Sequence, residues 1–121
     1  MKNIFFIIAL FSIVSCHKKT EATSIPETFF VASIESGQQL FETNNCAACH
    51  QLAEKIVGPS LQNIAQIYKS KKGNMVAFLK AEAEPIVDPS QYESMKLNLE
   101  ITKTMTDDEL KALELYILSK G

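Results

Sequence analysis

The chain has 121 residues, a formal net charge of −2 and a hydrophobic content of 46%, part of which lies in the first fifteen positions. This length fits a single domain, near the smaller end of those that fold alone once an N-terminal export segment is removed. Lysine is the only strongly basic residue, because the sequence contains no arginine. We therefore expect no phosphate-tracking surface and no nucleic-acid partner.

The chain begins with the features of an export signal. Lys2 precedes an apolar run over residues 4–11, which is too short to span a bilayer. The following Ile-Val-Ser-Cys at residues 13–16 resembles a bacterial lipobox, where signal peptidase cleaves before a cysteine that carries diacylglycerol. We predict a lipoprotein-type signal peptide over residues 1–15 and lipidation of Cys16. The alternative is an ordinary signal peptide with a chance cysteine.

Lysine, threonine, glutamate, serine and proline dominate the next segment, residues 16–34, where no helical or strand period persists. Such a composition is typical of a flexible tether. We predict that this tether joins the lipid anchor to one domain over residues 35–121. The mature protein is then expected to be exported and attached to a membrane in the periplasm or cell envelope of a bacterium.

Two helices are predicted in the first half of this domain. Ser36 and Gln39 match a capping box, which starts a helix that runs to the region of Cys46. Ser60 is an N-cap candidate for the second helix, in which apolar residues repeat at helical spacing until Gly73 ends it.

Two further helices are predicted in the second half. Asn74 caps a short helix that ends before Pro85, and a loop follows Pro89. Thr106 and Glu109 form another capping box ahead of an apolar stripe that runs to the end of the chain. Since no stretch alternates with the two-residue period of a strand, the predicted fold class is all-α, with about four short helices.

The segment Cys46-Ala47-Ala48-Cys49-His50 has the C-x-x-C-H spacing that is typical of covalent haem attachment. Positions three apart lie on one face of a helical turn, so both thiols can reach the two vinyl groups of one porphyrin edge. The next residue, His50, is then placed to ligate the iron. The sequence therefore predicts one covalent haem c.

Three other uses of these cysteines fit the sequence less well than haem attachment. A thioredoxin-type redox pair requires a preceding strand and a βαβ unit, and neither is predicted. A zinc site requires more ligands than the chain offers, since Cys16 and His17 belong to the leader or tether. A structural disulfide between Cys46 and Cys49 suits an oxidising compartment but leaves His50 unexplained.

Further motifs lie before and after this segment in the sequence. They are Gly37-x-x-Leu40-Phe41 before it, Gly58-Pro59-Ser60-Leu61 after it, a methionine-bearing loop, and Leu113 and Tyr116 in the last helix. Over residues 35–121 this order resembles class I cytochrome c. The resemblance implies a cytochrome c fold, an all-α shell around one haem, in which the first and last helices cross in close contact.

The resemblance also implies roles for individual residues. The family's contact positions in the first and last helices correspond to Gly37, Phe41, Leu113 and Tyr116. The absent side chain of Gly37 allows the close approach. The carbonyl of Pro59 is expected to accept a hydrogen bond from the second ring nitrogen of His50, which fixes the imidazole and raises its basicity.

Three methionines are candidates for the sixth iron ligand. Met105 directly precedes Thr106, where a hydrophobic staple packs against the new helix, and Met75 falls on the apolar face of its own helix. Met95 lies in the predicted loop after Pro89, about ten residues before the last helix, where the family presents its ligand. We favour Met95, with Met105 as the alternative.

With His50 and a methionine on the iron, no position is left for a substrate. The expected function is a non-enzymatic carrier of single electrons in a respiratory or periplasmic chain, with the redox proteins of a membrane electron-transport chain as partners. One alternative is an electron-entry subunit of a larger oxidoreductase. The other, if no methionine reaches the iron, is an open-site gas sensor or peroxidase.

Overall fold

The structure, a computed structural model, describes residues 29–121, so the predicted signal peptide and Cys16 lie outside the described residues. It contains α1 (Ile34–Thr43), α2 (Leu61–Lys71), α3 (Met75–Leu79), α4 (Tyr92–Thr102) and α5 (Asp107–Leu118), with 3-10 turns at Cys46–Ala48 and Pro89–Gln91. Residues 29–121 form no strand, so the all-α prediction is confirmed, with five α-helices instead of about four. None of these five helices has the length and apolarity needed to cross a membrane.

The first helix begins earlier than predicted, because Ser33 and not Ser36 is its N-cap. The Ser33 hydroxyl accepts a hydrogen bond from the Ser36 backbone N–H at 3.1 Å, and the Ser36 hydroxyl accepts one from the Ser33 N–H at 2.9 Å. Ser36 thus closes the capping box, a role more often filled by glutamate or glutamine. Ser33 and Ile34, which the sequence assigns to the tether, are part of this helix and its cap.

The predicted starts of α2, α3 and α5 are confirmed. In each case the N-cap side chain, from Ser60, Asn74 or Thr106, accepts a hydrogen bond from the backbone N–H three residues further on. The end of α2 differs slightly from the prediction. Lys72, and not Gly73, takes the left-handed conformation that ends the helix, with φ of 52°.

The predicted loop after Pro89 is wrong, because residues 92–102 form α4 and Met95 lies on this helix. The sequence signals for α4 are weak. Gln91 stands at its N-cap position but makes no side-chain cap hydrogen bond. Only Leu99 and Thr102 of its residues are buried, so the apolar stripe that marks a packed helix is almost missing.

Helices α1 and α5 cross in close contact, which confirms what the resemblance implies. A Cβ atom on Gly37 would lie 1.9 Å from the carbonyl oxygen of Ala112 and 2.8 Å from Cβ of Tyr116, so only glycine fits. The rings of Phe41 and Tyr116 meet nearby, with centroids 5.4 Å apart. Helix α5 also packs against α2 and α3, and its buried residues are Leu110, Ala112, Leu113 and Ile117.

Candidate functional site

A cavity lies between the C-x-x-C-H turn and helices α2, α3 and α4. Much of its wall consists of buried apolar side chains, among them Phe41, Leu61, Met75, Leu79 and Leu113. The residues that the sequence assigns to the cofactor all border this cavity, and they are Cys46, Cys49, His50, Pro59 and Met95. The fold therefore brings three separate parts of the sequence to one apolar space.

The two cysteines of the motif belong to one tight turn. The backbone N–H groups of Cys49 and His50 both donate to the carbonyl of Cys46, at 3.2 and 3.1 Å. Side chains three residues apart are eclipsed in 3-10 geometry, which puts both sulfur atoms on one side of the turn. Both thiols are free, and burial raises the pKa of the Cys46 thiol.

The imidazole of His50 is held from two sides. Its Nδ1 lies 2.8 Å from the carbonyl oxygen of Pro59. Because a carbonyl oxygen only accepts, Nδ1 carries a proton and donates, so in the neutral ring the lone pair lies on Nε2. A Cβ atom on Gly58 would lie 2.4 Å from Cε1 of the ring, so Gly58 makes room for the imidazole. The sequence marks Gly58 only as a turn residue.

The three candidate methionines occupy different surroundings. Met75 is 2% exposed and belongs to the core cluster, although it also borders the cavity. Met95 is half-buried on α4 and borders the cavity as well. Met105 packs against the core but is not among the described residues that line the cavity. The assignment of Met95 as an iron ligand stays a prediction.

An ion pair joins the two loops at one edge of the cavity. Nζ of Lys55, in the loop after the C-x-x-C-H turn, lies 2.6 Å from Oδ2 of Asp88, which borders the cavity. The hydroxyl of Ser90 donates to the other oxygen of the same carboxylate, at 2.6 Å. The sequence carries no signal for this pair, since its members are 33 positions apart.

Replacing Lys55 with glutamine should lower the unfolding temperature near neutral pH, and by less in acid. The Lys55 ammonium, and after it the Ser90 hydroxyl, hold the pKa of Asp88 below its ordinary value of 3.8. A carboxylate with a lowered pKa stabilises the fold above its unfolded pKa, and this stabilisation is lost as the pH falls through the folded pKa. The effect should be small, because Lys55 is 57% exposed.

Thermal unfolding at about pH 7 and about pH 3 measures this difference. Lys103→Gln is the control for the loss of a lysine. It removes the same charge from Lys103, which lies just beyond α4 and forms an exposed ion pair with Glu100. An equal loss of stability by the Lys55 variant at both pH values would contradict the role of the ion pair.

The crossed terminal helices, the C-x-x-C-H turn and the apolar cavity together define a small all-α haem protein. The chain belongs to the cytochrome c family, since the family model described as Cytochrome c matches residues 34–120. Within residues 29–121, this match contains all five helices and every residue that borders the cavity. It confirms the assignment of the chain as a class I c-type cytochrome.

Short stretches of the chain are also similar to curated cytochromes. They are cytochrome c-552 of Nitrosomonas europaea, with 46% identity over 37 residues (31% of this chain, 36% of the relative), and cytochrome c-551 of Azotobacter vinelandii, with 36% identity over 39 residues (32% and 48%). Cytochrome c-551 of Ectopseudomonas mendocina is 47% identical over 30 residues (25% and 37%). The chain spans less than half the length of each of these relatives.

Haem c is the cofactor of this family member, and the residues present fit it. Two free thiols on one turn would form the thioether bonds, Nε2 of His50 would ligate the iron, and the apolar walls would enclose the porphyrin. The same cysteines and histidine do not suit a zinc ion. Residues 29–121 contain no group of three histidine, cysteine, aspartate or glutamate side chains arranged to hold a metal.

Proposed function

We propose that this protein is a non-enzymatic carrier of single electrons. The observation that supports the proposal is the position of His50 and Met95, which border the same cavity as Cys46 and Cys49. Bound haem c supplies an iron with a reversible one-electron couple. If His50 and Met95 both hold the iron, no coordination site would be left for a substrate, and no bond would have to form or break when an electron is gained or lost.

The residues around the cavity suit this role. The hydrogen bond to Pro59 keeps a proton on Nδ1 of His50 and orients Nε2. The thioether of Met95 would favour the ferrous state and raise the potential relative to a second imidazole. The buried apolar wall excludes water, which limits the reorganisation that accompanies a change of charge.

The absorption spectrum of the haem-loaded protein, oxidised and reduced, tests the proposal. A sulfur-to-iron charge-transfer band in the oxidised protein, together with a reduced spectrum that carbon monoxide does not change, is the expected result. A carbon monoxide complex of the unmodified protein would show an open iron. In that case the electron-carrier proposal would give way to the gas sensor or peroxidase.

We further propose that the protein is exported and works beside a membrane in a periplasmic or respiratory chain. The sequence pattern of residues 1–16 and the polar composition of residues 16–34 support this proposal. A lipid on Cys16 would hold the domain close to the membrane. This would raise its effective concentration toward membrane-bound redox partners without any new protein contact.

Replacing Cys16 with serine should move most of the protein from the membrane fraction to the soluble fraction, because serine offers no thiol for lipid attachment. Fractionation followed by haem staining measures the distribution. Ser15→Ala is the matched control, since it keeps a small residue before the cysteine and should leave the protein in the membrane fraction. A Cys16 variant that stays in the membrane fraction would contradict the lipid anchor.

A further inference from the structure

Thr102 joins the end of α4 to the end of α3. Its side chain is buried, and its hydroxyl donates a hydrogen bond of 2.6 Å to the carbonyl oxygen of Leu79. Leu79 is the last residue of α3, so its carbonyl is one of those that no N–H of the same helix satisfies. The bond thus links two chain segments that are separated by 23 positions.

Thr102 lies on the same face of α4 as Met95. Met95, Leu99 and Thr102 are spaced by four and three residues, which places them one above another along the helix. Leu99 is 1% exposed, and it is the other buried residue of α4. Met95 and Thr102 both border the cavity. The C-terminal half of α4 is therefore held by one buried leucine and one buried hydrogen bond.

The first turn of α4 is held by contacts of another kind. The ring of Tyr92 lies against that of Phe78, with centroids 6.3 Å apart. Asp88, which pairs with Lys55, lies just before the helix. Leu97, in the middle of α4, is 77% exposed. Because so little of the helix is packed, its distance from the cavity depends on the few contacts that hold it.

We propose that Thr102 is a positioning residue for Met95: its hydrogen bond to the carbonyl of Leu79 fixes α4 against α3 and so holds the thioether over the cavity. The inference rests on the proposed function, in which Met95 is the sixth ligand. Without this bond α4 can move away from α3, and the fraction of molecules in which Met95 has left the iron increases.

Thr102→Val tests the inference, because valine keeps the shape of threonine but cannot donate. The apparent affinity of the reduced, haem-loaded protein for carbon monoxide is proportional to the fraction with an open sixth position. We expect this affinity to rise roughly tenfold or more in the variant. The sulfur-to-iron band of the oxidised protein should weaken in parallel.

Three further variants separate positioning from simple loss of stability. Thr102→Ser keeps the hydroxyl and should restore the behaviour of the unmodified protein. Thr104→Val removes an exposed hydroxyl that donates to Ile101 within the same chain segment, at 2.8 Å, and should change neither readout. Leu110→Val removes a methylene group from a buried position that does not border the cavity. It should lower the unfolding temperature without raising the affinity for carbon monoxide.

The outcomes distinguish this inference from the proposed function. If Met95→Ala opens the iron to carbon monoxide but Thr102→Val does not, Met95 is the ligand and Thr102 has only a structural role. The positioning role would then be wrong. If Met95→Ala leaves the spectrum and the carbon monoxide affinity unchanged, Met95 is not the ligand, and both the assignment and the inference are overturned.

Discussion

Replacing Met95 with alanine should open the sixth coordination position of the haem-loaded protein. The alanine side chain cannot reach the iron, so the reduced variant should bind carbon monoxide and the oxidised variant should lose its sulfur-to-iron band. Loss of the thioether removes a ligand that favours ferrous iron, so the midpoint potential should fall, by on the order of 100 mV. A carbon monoxide titration and a redox titration measure the two effects.

The other methionines supply controls that match this change. Met105→Ala should cost about 1–2 kcal/mol of stability, because Met105 is half-buried against the core, but should leave the spectrum unchanged. Met75→Leu conserves volume in the core and should also keep the sulfur-to-iron band. A carbon monoxide complex of the Met105 or Met75 variant, together with an unchanged Met95 variant, would contradict the assignment.

Local signals in the sequence predict a large part of the fold. The caps of α2, α3 and α5 rest on contacts between a side chain and a backbone N–H three residues away, so the residue types and their spacing contain the required information. The C-x-x-C-H turn is equally local. These features, with the absence of strand periodicity, are sufficient for the all-α prediction.

The wrong predictions have physical reasons. Ser33 and Ser36 form a capping box between two serines, and the more usual glutamine pattern points to the wrong start of α1. Helix α4 has no side chain that caps its first turn and only two buried residues, so no start signal marks it and its apolar stripe is weak. Its conformation depends on packing against the rest of the domain.

For the candidate site, the sequence predicts the residues that border the cavity, but it predicts few of the contacts that hold them in place. The proposed cofactor residues border one cavity, as expected of a cytochrome c, and Nδ1 of His50 meets the carbonyl of Pro59. The Lys55–Asp88 ion pair and the bond from Thr102 to Leu79 join distant parts of the chain. A single sequence does not encode such contacts in any local pattern, so they become visible only in three dimensions.

Replacing Gly37 with alanine should destabilise the domain, although alanine favours a helix over glycine by about 1 kcal/mol. The added Cβ would lie 1.9 Å from the carbonyl oxygen of Ala112, which belongs to the backbone of α5 and cannot turn away as a side chain would. Helices α1 and α5 would have to separate, and the contact between Phe41 and Tyr116 would loosen. Overpacking of this kind outweighs the helix propensity, so we expect a net loss of about 2–3 kcal/mol.

For a domain of this size, such a loss lowers the unfolding temperature by roughly 10–20 °C. Thermal unfolding of the haem-loaded variant, followed in the far ultraviolet, measures the change. Gln39→Ala alters an exposed position of the same helix and should have almost no effect, which separates the crossing contact from any general response of α1 to alanine. A Gly37 variant as stable as the Gln39 variant would mean that α1 and α5 do not need their close approach. The close helix crossing at Gly37 would then make no measurable contribution to the stability of the domain.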